Sequence, residues 1–235
     1  MRRAAAALSL LLASACSSLP LPSVSFSGNS SPRRDAEVVA PVPPGQPQAL
    51  YLDVITGLRA RGLHRAAIAH LDEYERRFAR TPATALLRAQ SLLEINDDQA
   101  ALTVFQSIRS GPEAAAARAG TGTVMARQGD WDRAVEAFTA ATQLEPTNPR
   151  FLNNLGYALL RQGNSEQGEY RLRMASELDP ASAEIRNNLA LLLLSSNRAP
   201  DGERLLAQTP SPETRAAIRR AAVQIQNRST PDRSS

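Results

Sequence analysis

At 235 residues, with 43% hydrophobic and 4% aromatic content and a single cysteine, the chain can bury a core but has neither a disulfide framework nor cysteine clusters for a metal. The formal charge of +4 arises from 27 arginines, with no lysine, against 23 acidic residues. Those charges are interspersed and form no basic tract, which points to a solvated surface and away from nucleic acid as a partner. Strand-like alternation is nowhere sustained, so the sequence predicts an all-α chain.

Residues 1–15 read as a targeting segment. Arg2 and Arg3 give a charged start, residues 4–12 a short apolar run, and Ala13-Ser14-Ala15-Cys16 its end. The run is too short to cross a bilayer. It resembles a bacterial lipoprotein signal, and that resemblance implies that Cys16 becomes the first mature residue, acylated with fatty chains such as palmitate. Leucine is usual three places before that cysteine, and here Ala13 stands there. Ala13-Ser14-Ala15 also suits ordinary signal peptidase, so plain secretion is the alternative. Cleavage would remove Arg2 and Arg3 from the formal +4, leaving +2. Ser17, being other than aspartate, implies by the same resemblance an outer-membrane, periplasm-facing location.

Residues 16–47 read as the acylated cysteine followed by a disordered tether. Pro20, Pro22, Pro32, Pro41, Pro43, Pro44 and Pro47 deny it a regular helix. As a coil such a segment averages roughly 30 Å end to end.

From residue 48 a repeat emerges. Gly122, Met125, Gly129, Ala134, Phe138, Ala141 and Pro146 overlie Gly156, Leu159, Gly163, Gly168, Leu172, Ala175 and Pro180 at one constant step. That step is the roughly 34-residue period of a helix-turn-helix unit stacking into a solenoid. Gly129 and Gly163 fall where a first helix ends in left-handed geometry, and Asp130 and Asn164 or Ser165 can cap the second. The predicted units are 48–81, 82–114, 115–148, 149–182 and 183–208, with a capping helix over 213–227 and a disordered tail over 228–235. Ala67, Leu71 and Tyr74 carry the first unit, and Ala89, Leu92, Ala101, Phe105 and Ile108 the second, which is one position short. The small, aromatic or leucine, and proline positions resemble the tetratricopeptide repeat. Trp131 departs from that pattern, lying between the helices of its unit, where it is predicted to plug the gap between them.

No catalytic constellation is visible, so a non-enzymatic role is expected. His64 and His70 lie among arginines without metal-ligand spacing, and Asp97-Asp98 reads as a helix cap, so no metal or cofactor is expected. Function is sought on the hollow side of the array, as the tetratricopeptide resemblance implies. At 100° per residue, Leu152, Leu155, Gly156 and Leu159 point into the packing between helices, and Arg150, Asn154, Tyr157 and Arg161 form the opposite line. Arg127 in the preceding unit and Asn188 in the next extend it, with Ala116 and Gly120 leaving room beside them. Asparagine amides can pair with the backbone of an extended peptide, and arginines with carboxylates or carbonyls. The competing expectation is that Asn153-Asn154 and Asn187-Asn188 satisfy bonds between helices.

The run Phe151-Leu152-Asn153-Asn154-Leu155-Gly156-Tyr157, followed one period later by Ile185-Arg186-Asn187-Asn188-Leu189, together with the signal, resembles the TadD family of tetratricopeptide lipoproteins in tight-adherence (Flp) pilus assembly. The resemblance implies an outer-membrane-anchored adaptor whose protein partner is a pilus secretin. A type IV pilotin is the runner-up, although its asparagine-tyrosine-glycine run is absent because Leu155 follows Asn154. A periplasmic scaffold for cell-wall enzymes is a further alternative.

Overall fold

The computed structural model describes residues 47–196 and 198–229. The predicted signal, Cys16, the tether up to residue 46 and positions 230–235 of the predicted tail lie outside them. Eleven helices make up the described fold: α1 (Pro47–Ala60), α2 (His64–Arg77), α3 (Pro82–Glu94), α4 (Asp98–Ser107), α5 (Ala114–Gln128), α6 (Trp131–Leu144), α7 (Pro149–Gln162), α8 (Ser165–Leu178), α9 (Ala183–Ser195), α10 (Ala199–Leu206) and α11 (Pro212–Ser229). No strand occurs among the described residues. The fold is an all-α, tetratricopeptide-like solenoid of paired antiparallel helices.

Turn chemistry sets the pairing. Gly62, Asn96, Gly129 and Gly163 all have positive φ (73°, 63°, 80° and 101°) and close the first helix of successive pairs. The step from Asn96 to Gly129 is one position shorter than the steps on either side, so the short second unit shows directly in the backbone. Asn96 occupies the one such place not given to glycine, a conformation asparagine tolerates better than most side chains. Three of the second helices start on a side-chain cap, Asp97 accepting from the Ala100 N–H, Asp130 from Arg133 and Asn164 from Gln167, whereas α2 after Leu63 and α10 after Arg198 have none.

Small residues fix the spacing between partner helices. A Cβ on Gly156 would lie 2.6 Å from Leu172 Cγ and 3.0 Å from the Gly168 carbonyl, and one on Gly168 would lie 2.9 Å from the Gly156 carbonyl. α7 and α8 therefore cross almost backbone to backbone. The core runs along the stack, through Phe105, Met125 and Phe138 to Leu155 and Leu159, and continues as a second cluster from Tyr157 to the last helices.

The first helices of consecutive pairs also touch each other in series, α3 with α5, α5 with α7 and α7 with α9. Direct contact along one row curves the slab and puts that row on the hollow side. At the C-terminal end α11 lies against α9, and Ile218, Ala221 and Ala222 join residues 189–194 in one apolar cluster. From Asn188 to Leu194 α9 is thus buried on every side, as expected of its leucine-rich C-terminal half, while Ala183 and Glu184 in its first turn stay exposed.

Candidate functional site: the concave face of α5, α7 and α9

Two glycines orient the face. On α5 a Cβ at Gly120 would overlap the Phe105 ring of α4, and one at Gly122 would meet the Phe138 ring of α6 at 2.8 Å. Gly120 therefore looks toward the preceding pair and leaves no room in a groove, contrary to what an opposite-face reading of α5 implies. Asn154 lies one period after Gly120, so it stands on the flank of α7 toward α6. Arg150, Tyr157 and Arg161 lie within about 60° of it around α7, and Asn153, a further step round, turns toward α9.

Asn153 is buried and bridges two units. Its amide donates to Glu184 Oε1 at 3.0 Å, and its Oδ1 accepts from Asn188 Nδ2 at 3.0 Å. Asn188 is only 2% exposed. The placement of Asn188 in the accessible groove is corrected: α9 is enclosed by α7, α8, α10 and α11, and this amide spends itself between helices. Asn187 likewise accepts from the Thr209 hydroxyl at 2.6 Å. Tyr157 is corrected in part, because its ring is buried and only its hydroxyl is used, accepting from Arg161 Nη1 at 2.8 Å.

Glu184 lies one period after Arg150, on the same line of the next unit, at the exposed start of α9. Desolvation pushes its carboxyl pKa up, while the Arg150 charge and the Asn153 hydrogen bond pull against that. Arg150 is exposed and has no carboxylate within salt-bridge distance among the described residues. Arg127 is occupied otherwise: Nη1 donates to the Leu93 carbonyl at 2.8 Å and to Asp98 Oδ1 at 2.9 Å, tying α5 to the end of α3 and the start of α4. It is a structural arginine at the rim.

Trp131, expected as a plug, sits half-buried at the first turn of α6 and meets the Tyr157 ring edge-on at 6.0 Å. The Arg161 guanidinium lies over its ring at 4.2 Å. The departure of Trp131 from the repeat pattern is the sequence signal that this corner differs. Among the described residues no group of three or more histidine, cysteine or acidic side chains could hold a metal ion.

A TPR repeat profile matches residues 122–163 and a tetratricopeptide repeat profile residues 153–213. A TPR repeat-containing protein of Pseudomonas aeruginosa is 29% identical over 146 residues, 61% of this chain and 52% of its own length. The chain thus spans about half of that relative. Among solved structures, a thermophilic TPR protein of Thermus thermophilus superposes with a TM-score of 0.62 at 18% identity, covering 75% of this chain and 99% of that one. MamA of Desulfovibrio magneticus RS-1 gives 0.58 at 20% identity, covering 74% and 96%. YrrB, described as a TPR protein with an unusual peptide-binding site, gives 0.52 at 15% identity, covering 75% and 90%. Matched repeats over residues 122–213, left-handed turns at the repeat period and a stacked array of helix pairs together make the chain similar to tetratricopeptide-repeat proteins in both repeat and fold.

Proposed function

We propose that this chain is a lipid-anchored adaptor of the outer membrane, facing the periplasm, that holds an extended segment of a protein partner in its concave face and assists assembly of the Flp pilus secretin. Tetratricopeptide arrays are protein-interaction scaffolds, and the similar fold of YrrB has a peptide-binding site. The observation that carries the adaptor reading is the row α3, α5, α7 and α9, on which Arg150 and Arg161 have no carboxylate within salt-bridge distance among the described residues, Arg150 acting on Glu184 only through its longer-range charge. Buried Asn153 and Asn188 hold that face in shape, and the arginines supply donors a partner can use.

The anchor rests on the sequence of residues 1–17, and no described helix is long and apolar enough to cross a membrane. Cys16→Ser should therefore move the protein from the membrane to the soluble fraction, and unchanged retention would refute acylation as the anchor. For the partner, the purified chain and its Arg150→Glu variant are offered detergent-solubilised envelope. Recovery of a secretin by the first and its loss from the second, at unchanged melting temperature, supports the reading. Recovery of a peptidoglycan synthase or hydrolase would replace it with a cell-wall scaffold.

A further inference from the structure

We infer that the corner formed by Trp131, Tyr157 and Arg161 is a preorganised receptor for a carboxylate on the partner segment, a role that rests on the groove reading above and deepens it.

Two successive units differ at one point. In each, an arginine near the end of the first helix reaches the opening residue of the second helix in the preceding pair. Arg127 finds Asp98, the first residue of α4, and the two make an ion pair. One period further on, Arg161 finds Trp131, the first residue of α6. A carboxylate has thus been replaced by an aromatic face. The ring holds the guanidinium by cation-π attraction but accepts none of its hydrogen bonds and leaves its charge uncancelled.

The acids nearby are already engaged. Asp132 accepts from Gln162 Nε2 at 2.8 Å, and Asp130 caps α6 and pairs with Arg133. No carboxylate among the described residues lies within salt-bridge distance of Arg161. One of its nitrogens is fixed on the Tyr157 hydroxyl, and its guanidinium carbon rests over the indole. Its orientation is therefore set before any ligand arrives, which lowers the entropic cost of a bidentate contact.

Trp131 is the sole tryptophan of the chain, so its fluorescence reports on this corner alone. Three probes separate the sources of the carboxylate: acetyl-Gly-Ser-Glu-Ser-Gly-amide, acetyl-Gly-Ser-Gln-Ser-Gly with a free C-terminus, and acetyl-Gly-Ser-Gln-Ser-Gly-amide. A saturable change with the first supports a side-chain carboxylate, and with the second a chain terminus. The third should give none. Arg161→Met should weaken the response tenfold or more, which corresponds to about 1.4 kcal/mol or above. Arg161→Lys, which keeps the charge and loses the fork, should fall between. Equal responses to all three probes, no response to any, or a response indifferent to Arg161→Met in a protein of unchanged helical signal would overturn the inference. If the peptide responses appear as expected while no envelope partner is retained, the carboxylate site stands and the pilus reading fails. If a secretin is retained equally by the Arg161→Met variant, the reverse holds.

Discussion

Replacing Asn188 by alanine separates a structural amide from a ligand-binding one. Asn188 is 2% exposed, and its Nδ2 is the donor to Asn153 Oδ1, itself on a residue 2% exposed. Truncation leaves that oxygen buried without its donor, a penalty of about 1–3 kcal/mol, and removes packed volume beside Leu189 and Leu191. A loss of about 2 kcal/mol is therefore expected for Asn188→Ala. In a fold of this size each kcal/mol moves Tm by about 2–4 °C, so the shift should be roughly 4–8 °C. Circular dichroism melts and urea titration provide the readout, the urea midpoint falling at unchanged slope. Asn154→Ala is the control. That residue is half-buried on the α6 flank, and its substitution should stay within about 0.5 kcal/mol of the parent. If Asn188→Ala melts with the parent while Asn154→Ala does not, the assignment of the two amides is wrong.

The packing and the charges fix three further outcomes. Gly168→Ala would place a Cβ 2.9 Å from the Gly156 carbonyl, which cannot rotate away, so a loss of about 1–3 kcal/mol should outweigh the helix-propensity gain of about 1 kcal/mol and lower the melting temperature. Glu184 has a raised pKa in the fold, so its contribution to stability is present in acid and is lost as pH rises through that pKa; Glu184→Gln should remove this contribution, and parent and variant stability measured from about pH 4 to 7 should diverge in that direction. Ending the chain after Gln208 removes α11 and uncovers the α9 cluster that includes Leu191 and Leu192. Cooperative melting should weaken and dye binding to apolar surface should rise, and an unaltered melt would show that α11 is dispensable.

The repeat is legible in the sequence because its determinants are local. A left-handed turn demands glycine or asparagine at Gly62, Asn96, Gly129 and Gly163, and a backbone crossing demands glycine at Gly156 and Gly168, so each leaves a fixed mark in the chain. The hollow face is less legible because neighbouring residues differ by 100° and both Asn153 and Asn154 fit a polar stripe. Only the Phe105 ring against Gly120 and the Asn153–Glu184 bond tell them apart. Asn188 misleads for another reason: its burial depends on how α11 closes the end of the stack, which no spacing within α9 encodes. Trp131 breaks the pattern visibly, but its role depends on Arg161, at the far end of the following helix, and on the period that brings the two together.

What keeps the face rigid enough to select a ligand can be decided by magnitude. Cross-unit polar contacts run along one edge of the array, Arg127 to Asp98, Gln162 to Asp132 and Arg198 to Glu169. Each is at least partly exposed, and such pairs contribute about 0–1 kcal/mol and weaken with salt. Burial of Phe105, Phe138, Leu172 and Leu192 contributes about 1.5–3 kcal/mol for each side chain and does not. The curvature is therefore set by the apolar seams and the glycine crossings, and the edge contacts choose register. Raising the salt should accordingly loosen a carboxylate held by Arg161 while leaving the hollow that presents it unchanged.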